Sequence, residues 1–322
     1  MKDYRLLENR WKGFKSYFYK EYDCGEYNYF NLQIKEISKI FNFTNEEKCW
    51  FAYLFSICYC LPTAWILFYE FPSYKKINAK EFEKYWNETK KKLVFSSDKA
   101  KVKNFDMPPK MIESYKTIMG INQFDRVQKS LVLGDKQTSY NNLYALCDKF
   151  YNFGRFSIDM YVETLTNILE LEVEMPKVNW KDSSNESIKN GLLYALALDE
   201  YITLHHKKPE KILQKEDFDY LDLMLEKLYK QIDNEVKVDK WVVCAVLCGW
   251  KKMFWGVRYV GYYLDRQLEQ TLLTEELNSD IPFLPIWKTR KELLDNNYLG
   301  EVNGWKGIRK EKITEFINTG NL

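Results

Sequence analysis

The sequence predicts an all-α fold on three observations. Apolar residues recur at helical spacing along most of the 322 residues, as in Phe30, Ile34, Ile37 and Phe41. No alternating pattern of strand type runs convincingly beyond four residues. A long uncharged stretch at 44–72 is typical of helices that are buried all round. We therefore expect one large helical domain, either undivided or in two lobes.

The stretch from Thr44 to Pro72 is predicted to be a helical hairpin at the centre of the core. It contains 21 consecutive residues without a charge, eight of them aromatic. Thr44 and Glu47 have the spacing of a capping box, which predicts a helix start. We predict a helix over 45–60, a break at Leu61-Pro62 and a second helix over 63–69.

A membrane span is the alternative for this stretch, because its length is just sufficient to cross a bilayer. Pro62 inside the run and the capping box at its start both favour a buried hairpin. The flanks carry charges of both signs, without the lysine or arginine bias that orients a span. We therefore expect no membrane segment.

The remaining elements follow from the same periodicity. Residues 1–25 are predicted to form an N-terminal arm, and residues 26–322 the helical catalytic domain. Residues 122–137 are predicted to be an exposed connection, with further interruptions at 172–186 and 201–213. Helices are predicted at 28–41, 78–92, 111–119, 138–152, 157–171, 187–199, 214–234, 238–255, 259–277, 284–295 and 309–318.

Composition excludes several classes of protein. A net charge of +2 gives no general attraction to nucleic acid or membrane, so any such affinity must come from a local patch. The N-terminus lacks the apolar region of a signal peptide, and seven cysteines suggest reduced thiols in a cytosol. No phosphate loop or convincing zinc pattern is present, so we expect neither a metal nor a cofactor.

The scarce residue types narrow the choice of catalytic groups. The two histidines are adjacent, at His205 and His206, so a general acid or base is expected to be a carboxylate, lysine, tyrosine or water. Lysines number 40 and arginines eight, which is typical of an AT-rich genome. The arginines that remain are enriched for sites needing a planar two-pronged donor, which favours Arg155, Arg258 and Arg266.

Three stretches carry polar groups that packing alone does not require. In 154–163, Asp159 and Glu163 lie one helical turn apart beside Arg155, which fits either a site or a solvated helix face. In 183–195, a polar loop that precedes a helix fits an anion site or ordinary capping. In 251–269, one predicted helical face suits a pocket wall or a salt-bridged surface; it holds Arg258, Tyr262, Asp265, Arg266 and Glu269.

Five motifs in order carry a resemblance to a known family. They are CWFAYLFSICYCLPTAWILFYEFP (49–72), MPPKMIESYK (107–116), FGRFSIDMYVETL (153–165), SSNESIKNGLLYALALDE (183–200) and RYVGYYLDRQLEQ (258–270). This set resembles the bacteriophage amino acid:DNA transferases, also described as alpha-glutamyl/putrescinyl thymine pyrophosphorylases, from about residue 10 to about residue 295. One departure is Lys189, which precedes Asn190-Gly191 where the family pattern leads us to expect an arginine.

The resemblance implies hypermodification of thymidine in phage DNA, in the cytoplasm of the infected host. The substrate would be double-stranded DNA carrying 5-hydroxymethyluracil activated as a pyrophosphoryloxymethyl base. An amine of the glycine, glutamate or putrescine class would replace the pyrophosphate. The family's distant relation to helix-hairpin-helix DNA glycosylases implies an all-α fold of two lobes.

The implied chemistry assigns roles to residues in these motifs. Cations would stabilise the leaving pyrophosphate, a carboxylate would deprotonate the amine, and aromatic faces would hold a flipped base. The predicted catalytic residues are Arg155, Glu163, Asp265 and Arg266. The predicted substrate-binding residues are Cys58, Tyr59, Trp65, Asn190, Lys251, Arg258 and Tyr262.

Two alternative hypotheses of function remain open. The route by which pyrophosphate leaves is also open. A DNA glycosylase on the same fold would release a base, and a non-enzymatic DNA-binding protein would change nothing. Pyrophosphate could leave by direct displacement, or after a thiolate of Cys58 or Cys60 adds to C6 of the uracil ring. Cysteines in apolar helices are usually inert, which favours a route without a covalent cysteine.

Overall fold

The computed structural model describes residues 3–202, 209–294 and 302–322, and over these ranges it is helical and contains no strand. The all-α fold class is therefore confirmed. The adjacent histidines His205 and His206 lie outside the described residues. None of the helices in the described ranges combines the length and apolar character that crossing a membrane requires.

The chain forms two compact units. The first, unit 1, comprises Met1–Asn28, Lys177–Asp265 and Leu294–Leu322, and the second, unit 2, comprises Tyr29–Pro176 and Arg266–Leu293. Unit 1 contains α1 (Arg10–Asp23), α11 (Glu186–Ala195), α12 (Lys215–Glu235), α13 (Lys240–Phe254) and α16 (Val302–Thr319). Its short 3-10 helices are Leu7–Asn9, Glu26–Asn28, Ser183–Asn185 and Asp199–Tyr201. The predicted division into residues 1–25 and 26–322 stays a prediction.

Unit 2 contains most of the remaining helices. They are α2 (Tyr29–Ile40), α3 (Asn45–Cys58), α4 (Leu61–Glu70), α5 (Ala79–Thr89), α6 (Ala100–Asn104), α7 (Pro108–Met119), α8 (Gln123–Ser130), α9 (Lys136–Cys147), α10 (Arg155–Leu169) and α15 (Leu284–Leu293). A 3-10 turn, Ser97–Lys99, precedes α6. Helix α14 (Tyr262–Leu277) is divided between the two units after Asp265.

The hairpin is the centre of unit 2, as predicted. Every residue of α3 from Cys49 to Cys58 is buried, and α3 packs against α4 and α10. The capping box is present: Thr44 accepts the N–H of Glu47, whose carboxylate accepts the N–H of Thr44 at 2.7 Å. The ring of Tyr53 stacks on Tyr115 with a centroid distance of 3.7 Å. This burial of aromatic surface stabilises unit 2.

The position of the hairpin break differs from the prediction. The break lies at Tyr59-Cys60, and Leu61 and Pro62 belong to the first turn of α4. Proline is tolerated there because the N–H that it lacks would have no partner within the helix. Tyr59 ends α3 in the left-handed conformation, at φ 46° and ψ 42°.

Residues 122–137 also differ from the prediction, because they include α8 and are not merely an exposed connection. The side chain of Gln123 explains this, since it is fully buried and donates to the carbonyl of Glu46 at 2.6 Å. The carboxylate of Glu46 in turn accepts the N–H of Phe124 at 2.9 Å, in the first turn of α8. These contacts are long-range, so local periodicity does not reveal them.

In unit 1, α11 and α1 pack against α13. The approach of α11 to α13 is so close that a Cβ on Gly191 would lie 2.1 Å from the carbonyl oxygen of Leu247. Trp250 on α13 is fully buried, and its ring lies 6.1 Å from Phe14 on α1, in an edge contact. The predicted arm therefore contains a helix whose apolar face belongs to the core of unit 1.

Candidate active site

In unit 2, the break between α3 and α4 brings chemically active groups together. Tyr59, at the break, packs its ring against Phe156 with centroids 5.4 Å apart. A non-glycine residue in the left-handed conformation is uncommon, and such residues are enriched at functional sites. Phe156 is 47% exposed and Tyr59 is half-buried, so aromatic surface is accessible beside the break.

Lys99 is the most unusual residue near this break. It is 3% exposed, and its ammonium donates a hydrogen bond to the hydroxyl of Ser157. Its Nζ lies 5.0 Å from the centroid of the Phe156 ring. Within the described part of the chain, no carboxylate forms a salt bridge with Lys99, and burial lowers the pKa of its ammonium to about 8. The charge of the neighbouring Asp98 opposes this lowering only in part. A buried ammonium that forms no salt bridge favours an anionic ligand.

The first turn of α10 contacts Lys99 through the hydroxyl of Ser157. Gly154 is the N-cap residue, so no side chain caps the first turn. A Cβ on Gly154 would meet no atom within 4 Å, so the space in front of the helix is open. The next residue, Arg155, has its Nε 3.5 Å from the carboxylate of Asp159, and both side chains are partly exposed. The helix N-terminus, Arg155 and Lys99 together can bind a phosphate-type anion.

The two cysteines at the break are fully buried. Burial raises the pKa of the Cys58 thiol, whose Sγ donates to the carbonyl of Leu54 at 3.1 Å. Burial also raises the pKa of Cys60 to about 11, although hydrogen bonds from Thr63 oppose the rise. Both thiols are therefore protonated at neutral pH, which makes them poor nucleophiles.

The other predicted residues of unit 2, Glu163, Arg266 and Trp65, have the following positions and contacts. Glu163 lies eight residues after Arg155 on α10, roughly 12 Å along the helix, and accepts from the amide of Asn31 at 3.1 Å. Arg266 lies 3.2 Å from Glu269, both partly exposed, and its charge lowers the pKa of Cys60. Trp65 is 4% exposed and donates its indole N–H to the carbonyl of Pro282 at 2.8 Å, as a core residue does.

In unit 1, the structure corrects the predicted helical face at 258–269. Arg258 precedes α14 and does not share its face with Tyr262 or Asp265. Its side chain is 4% exposed, and Nη2 lies 3.2 Å from Glu21 and 3.1 Å from Glu26. Gly256 and Gly261 both have positive φ, which turns the chain between α13 and α14 and directs this arginine inward. A direct contact with a ligand would require breaking this buried cluster.

Two carboxylates share one guanidinium in this cluster. Desolvation raises the pKa of both Glu21 and Glu26, and the charge of Arg258 opposes the rise. Glu26 also accepts the N–H groups of Gly261 and Tyr263, which favour its charged form. We therefore assign the charge to Glu26 and the proton to Glu21 at neutral pH.

The structure gives the following contacts for the remaining predicted residues of unit 1. Lys251 donates to the hydroxyl of Ser187 at 2.7 Å and lies 4.2 Å from the ring centroid of Trp255. Asn190 is buried on α11. The ring of Tyr262 packs edge-on against those of Tyr259 and Tyr263. Asp265 accepts a hydrogen bond from the hydroxyl of Tyr259.

The structure thus brings together Tyr59, Cys58 and Arg155 in unit 2, with Lys99 and Ser157 added. The sequence pattern assigns no role to Lys99, because it belongs to a polar loop with two other lysines. Burial alone distinguishes Lys99 from them, and its buried ammonium contacts Ser157, a residue 58 positions away in the chain. No local signal in the sequence identifies this residue.

Comparison with known proteins gives one match. No curated protein and no solved structure is significantly similar to this chain. The model of one family, described as amino acid:DNA transferase, matches residues 30–258, which is well over half of the chain. This chain therefore belongs to the amino acid:DNA transferase family, and it is an enzyme that transfers an amino acid to DNA.

Proposed function

We propose that this enzyme acts on pyrophosphoryloxymethyluracil in phage DNA and replaces its pyrophosphate with an amino acid or polyamine. The DNA would be that of a bacteriophage, modified in the cytoplasm of the infected host. The observation that carries the proposal is Lys99, a buried cation with no salt bridge to any described carboxylate, beside the uncapped N-terminus of α10. Such a site suits a leaving group that becomes more negative as its bond breaks.

In the proposed reaction the amine nitrogen attacks the exocyclic methylene carbon of the base. The bond from this carbon to the pyrophosphate oxygen breaks, and its electron pair leaves with the pyrophosphate. Lys99, Arg155 and the first-turn N–H groups of α10 would stabilise the departing charge. The amine gives up one proton, for which Glu163 or Asp265 remains the proposed acceptor.

The target base would be flipped out of the duplex to reach this site. The half-exposed ring of Phe156 and the adjacent ring of Tyr59 offer the aromatic surface for stacking. Arg266 stays a proposed cation of the site, since its charge already acts on Cys60 at the break. The buried indole of Trp65 donates to the main-chain carbonyl of Pro282, and Arg258 is held by the buried side chains of Glu21 and Glu26, which fits structural roles better.

Release of pyrophosphate tests this function directly. We expect release from DNA with the activated base when an accepted amine is present, in a one-to-one ratio with amine incorporation. Release that proceeds equally without any amine would identify a hydrolase. Absence of release with every amine would contradict the proposal.

Replacing Gly154 with serine distinguishes a role of the α10 N-terminus in anion binding from a role in helix stability. A serine at the N-cap accepts a hydrogen bond from the first turn and is at least as favourable there as glycine. We therefore expect an unchanged or slightly higher melting temperature, together with a kcat/KM for DNA at least about tenfold lower, because the hydroxyl occupies the anion's place. Thermal denaturation and steady-state kinetics measure the two quantities. An active, stable G154S enzyme would place the anion elsewhere.

The cysteines at the break are expected to be dispensable for chemistry. Their burial holds both thiols protonated, so the Cys58→Ser and Cys60→Ser variants should keep kcat within about threefold per folded enzyme. Active-site titration corrects for any loss of folded protein. Loss of kcat by about a hundredfold or more in either variant, with the fold intact, would support the covalent addition route.

A further inference from the structure

Unit 1 contains a cavity of about 430 Å³, and none of the residues that line it belongs to the anion site described in unit 2. It lies where α1, α13, α16 and the segment before α14 meet. The volume is in the range of small-molecule sites. The residues that line it are Lys20, Asp23, Cys24, Met253, Tyr259, Val260, Lys312, Glu315, Asn321 and Leu322.

The cavity has an apolar floor and a charged rim. Three buried residues, Cys24, Met253 and Tyr259, form the floor, and Tyr259 is 2% exposed. The rim carries two lysines and two carboxylates, from Lys20, Lys312, Asp23 and Glu315. A site with both signs of charge around an apolar base is complementary to a zwitterion with a carbon side chain.

The backbone next to Tyr259, in the cavity floor, is held in place by the buried cluster of Arg258, Glu21 and Glu26. Glu26 accepts the N–H of Gly261 and, at 2.9 Å, that of Tyr263, so the backbone that follows Tyr259 is held at two positions. The hydroxyl of Tyr259 then donates to Asp265, which is the proposed proton acceptor in this unit. The cavity is therefore pre-formed, and its floor is linked by one hydrogen bond to a candidate base.

The ammonium groups of both lysines lie close to the cavity. The Nζ of Lys20 donates to the main-chain oxygen of Leu322 at 2.6 Å, at the cavity wall. The Nζ of Lys312 lies 5.7 Å from the centroid of the Tyr259 ring, above the floor. A carboxylate inside the cavity would therefore have cations on two sides.

We propose that this cavity binds the amine co-substrate as an α-amino acid. Its carboxylate would contact Lys20 and Lys312, and its ammonium would contact Asp23 and Glu315, with the side chain over Met253. The role of the ligand as co-substrate rests on the proposed function. The binding of an amino acid to this cavity does not. A polyamine such as putrescine has no carboxylate, so the two lysines disfavour it.

Equilibrium dialysis with labelled glycine, glutamate and putrescine tests this assignment on the free enzyme. We expect saturable binding of at least one of the two amino acids, weakened at least about tenfold by Lys312→Met and by Asp23→Asn. Lys227→Met and Asp219→Asn change exposed residues on α12 and serve as matched controls with unchanged affinity. In transfer assays the same cavity variants should raise KM for the amino acid and leave KM for DNA unchanged.

The outcomes separate the cavity from the proposed function. Binding of neither amino acid, tightest binding of putrescine, or affinities equal in variants and controls would overturn the cavity assignment even if transfer proceeds. Binding that depends on Lys312 and Asp23 supports it even if no pyrophosphate is released, in which case the proposed function fails alone. A normal KM for the amino acid in both variants also overturns it.

Discussion

Replacing Lys99 with methionine is expected to lower kcat/KM for the modified DNA by about 10²–10³-fold, because removal of one preorganised donor typically costs that much. The variant should remain folded. Lys99 is a buried cation without a salt bridge to any described carboxylate, so an apolar side chain of similar length removes a desolvation cost. Steady-state kinetics and thermal denaturation together measure both effects.

The exposed Lys101→Met, two residues away, is the matched control and should keep its activity within about twofold of wild type. A Lys99→Met enzyme as active as this control would contradict the assignment of Lys99 to the site. A variant that loses activity and melting temperature together would show only a structural role.

The pH dependence of Lys99 distinguishes two catalytic roles. Its folded pKa of about 8 lies below the ordinary value of 10.5. If the ammonium stabilises the leaving group, kcat/KM falls as pH rises through about 8; if the neutral amine is a base, kcat/KM rises there. We expect the fall, and we expect it to be absent in Lys99→Arg. The free energy of unfolding has the opposite trend. Between pH about 8 and pH 10.5 the unfolded chain binds more protons than the folded chain, so the contribution of Lys99 to stability increases with pH over this interval.

Replacing Arg258 with methionine is expected to destabilise unit 1 by about 3–5 kcal/mol, the usual cost of breaking a buried ion pair from one side. The buried carboxylate of Glu26 would lose its cation, and the buried, protonated carboxyl group of Glu21 would lose its hydrogen bond from Arg258. Denaturant unfolding with a probe in unit 1, such as Trp250, measures the loss. A change below about 1 kcal/mol would contradict the assignment of Arg258 to the core.

Because Glu21 is assigned as protonated, Glu21→Gln is a matched control variant for Arg258→Met. Its folded pKa is raised above 4.5, so the stability it contributes is complete at low pH and is lost as pH rises through the raised value. Glu21→Gln mimics the protonated form and should remove this part of the pH dependence while Arg258 keeps its contact with Glu26. Equal pH profiles for Glu21→Gln and wild type would show that the pKa of Glu21 is the same in the folded and unfolded chain, which would contradict its assignment as the protonated member of the cluster.

Much of the helical framework can be predicted from the sequence, because it depends on local periodicity and capping. The hairpin, its capping box at Thr44 and the long helices of 214–234 and 238–255 follow these local rules. The break was less predictable, since Pro62 suits both a helix interruption and a first turn. The left-handed Tyr59 has no signature in the sequence, because any residue can be forced there by packing.

The candidate site was predictable only in part, for a related reason. Arg155 was found from the scarcity of arginine, and it does lie at the start of α10. Arg258 satisfied the same criterion but is occupied by two carboxylates from a segment over 230 positions earlier in the chain. Lys99 is one of 40 lysines, and only its burial distinguishes it. Partners and burial are tertiary properties that residue type and spacing do not encode.

Mass spectrometry of nucleosides tests the proposed function most directly. Duplex DNA carrying pyrophosphoryloxymethyluracil is incubated with the enzyme and single amines, digested to nucleosides and compared with the same reaction using Lys99→Met. The predicted result is a nucleoside that carries the amine on its methylene carbon with the glycosidic bond intact, formed far more slowly by the variant. Unchanged nucleosides with every amine, or abasic sites in their place, would contradict a pyrophosphate-releasing transferase.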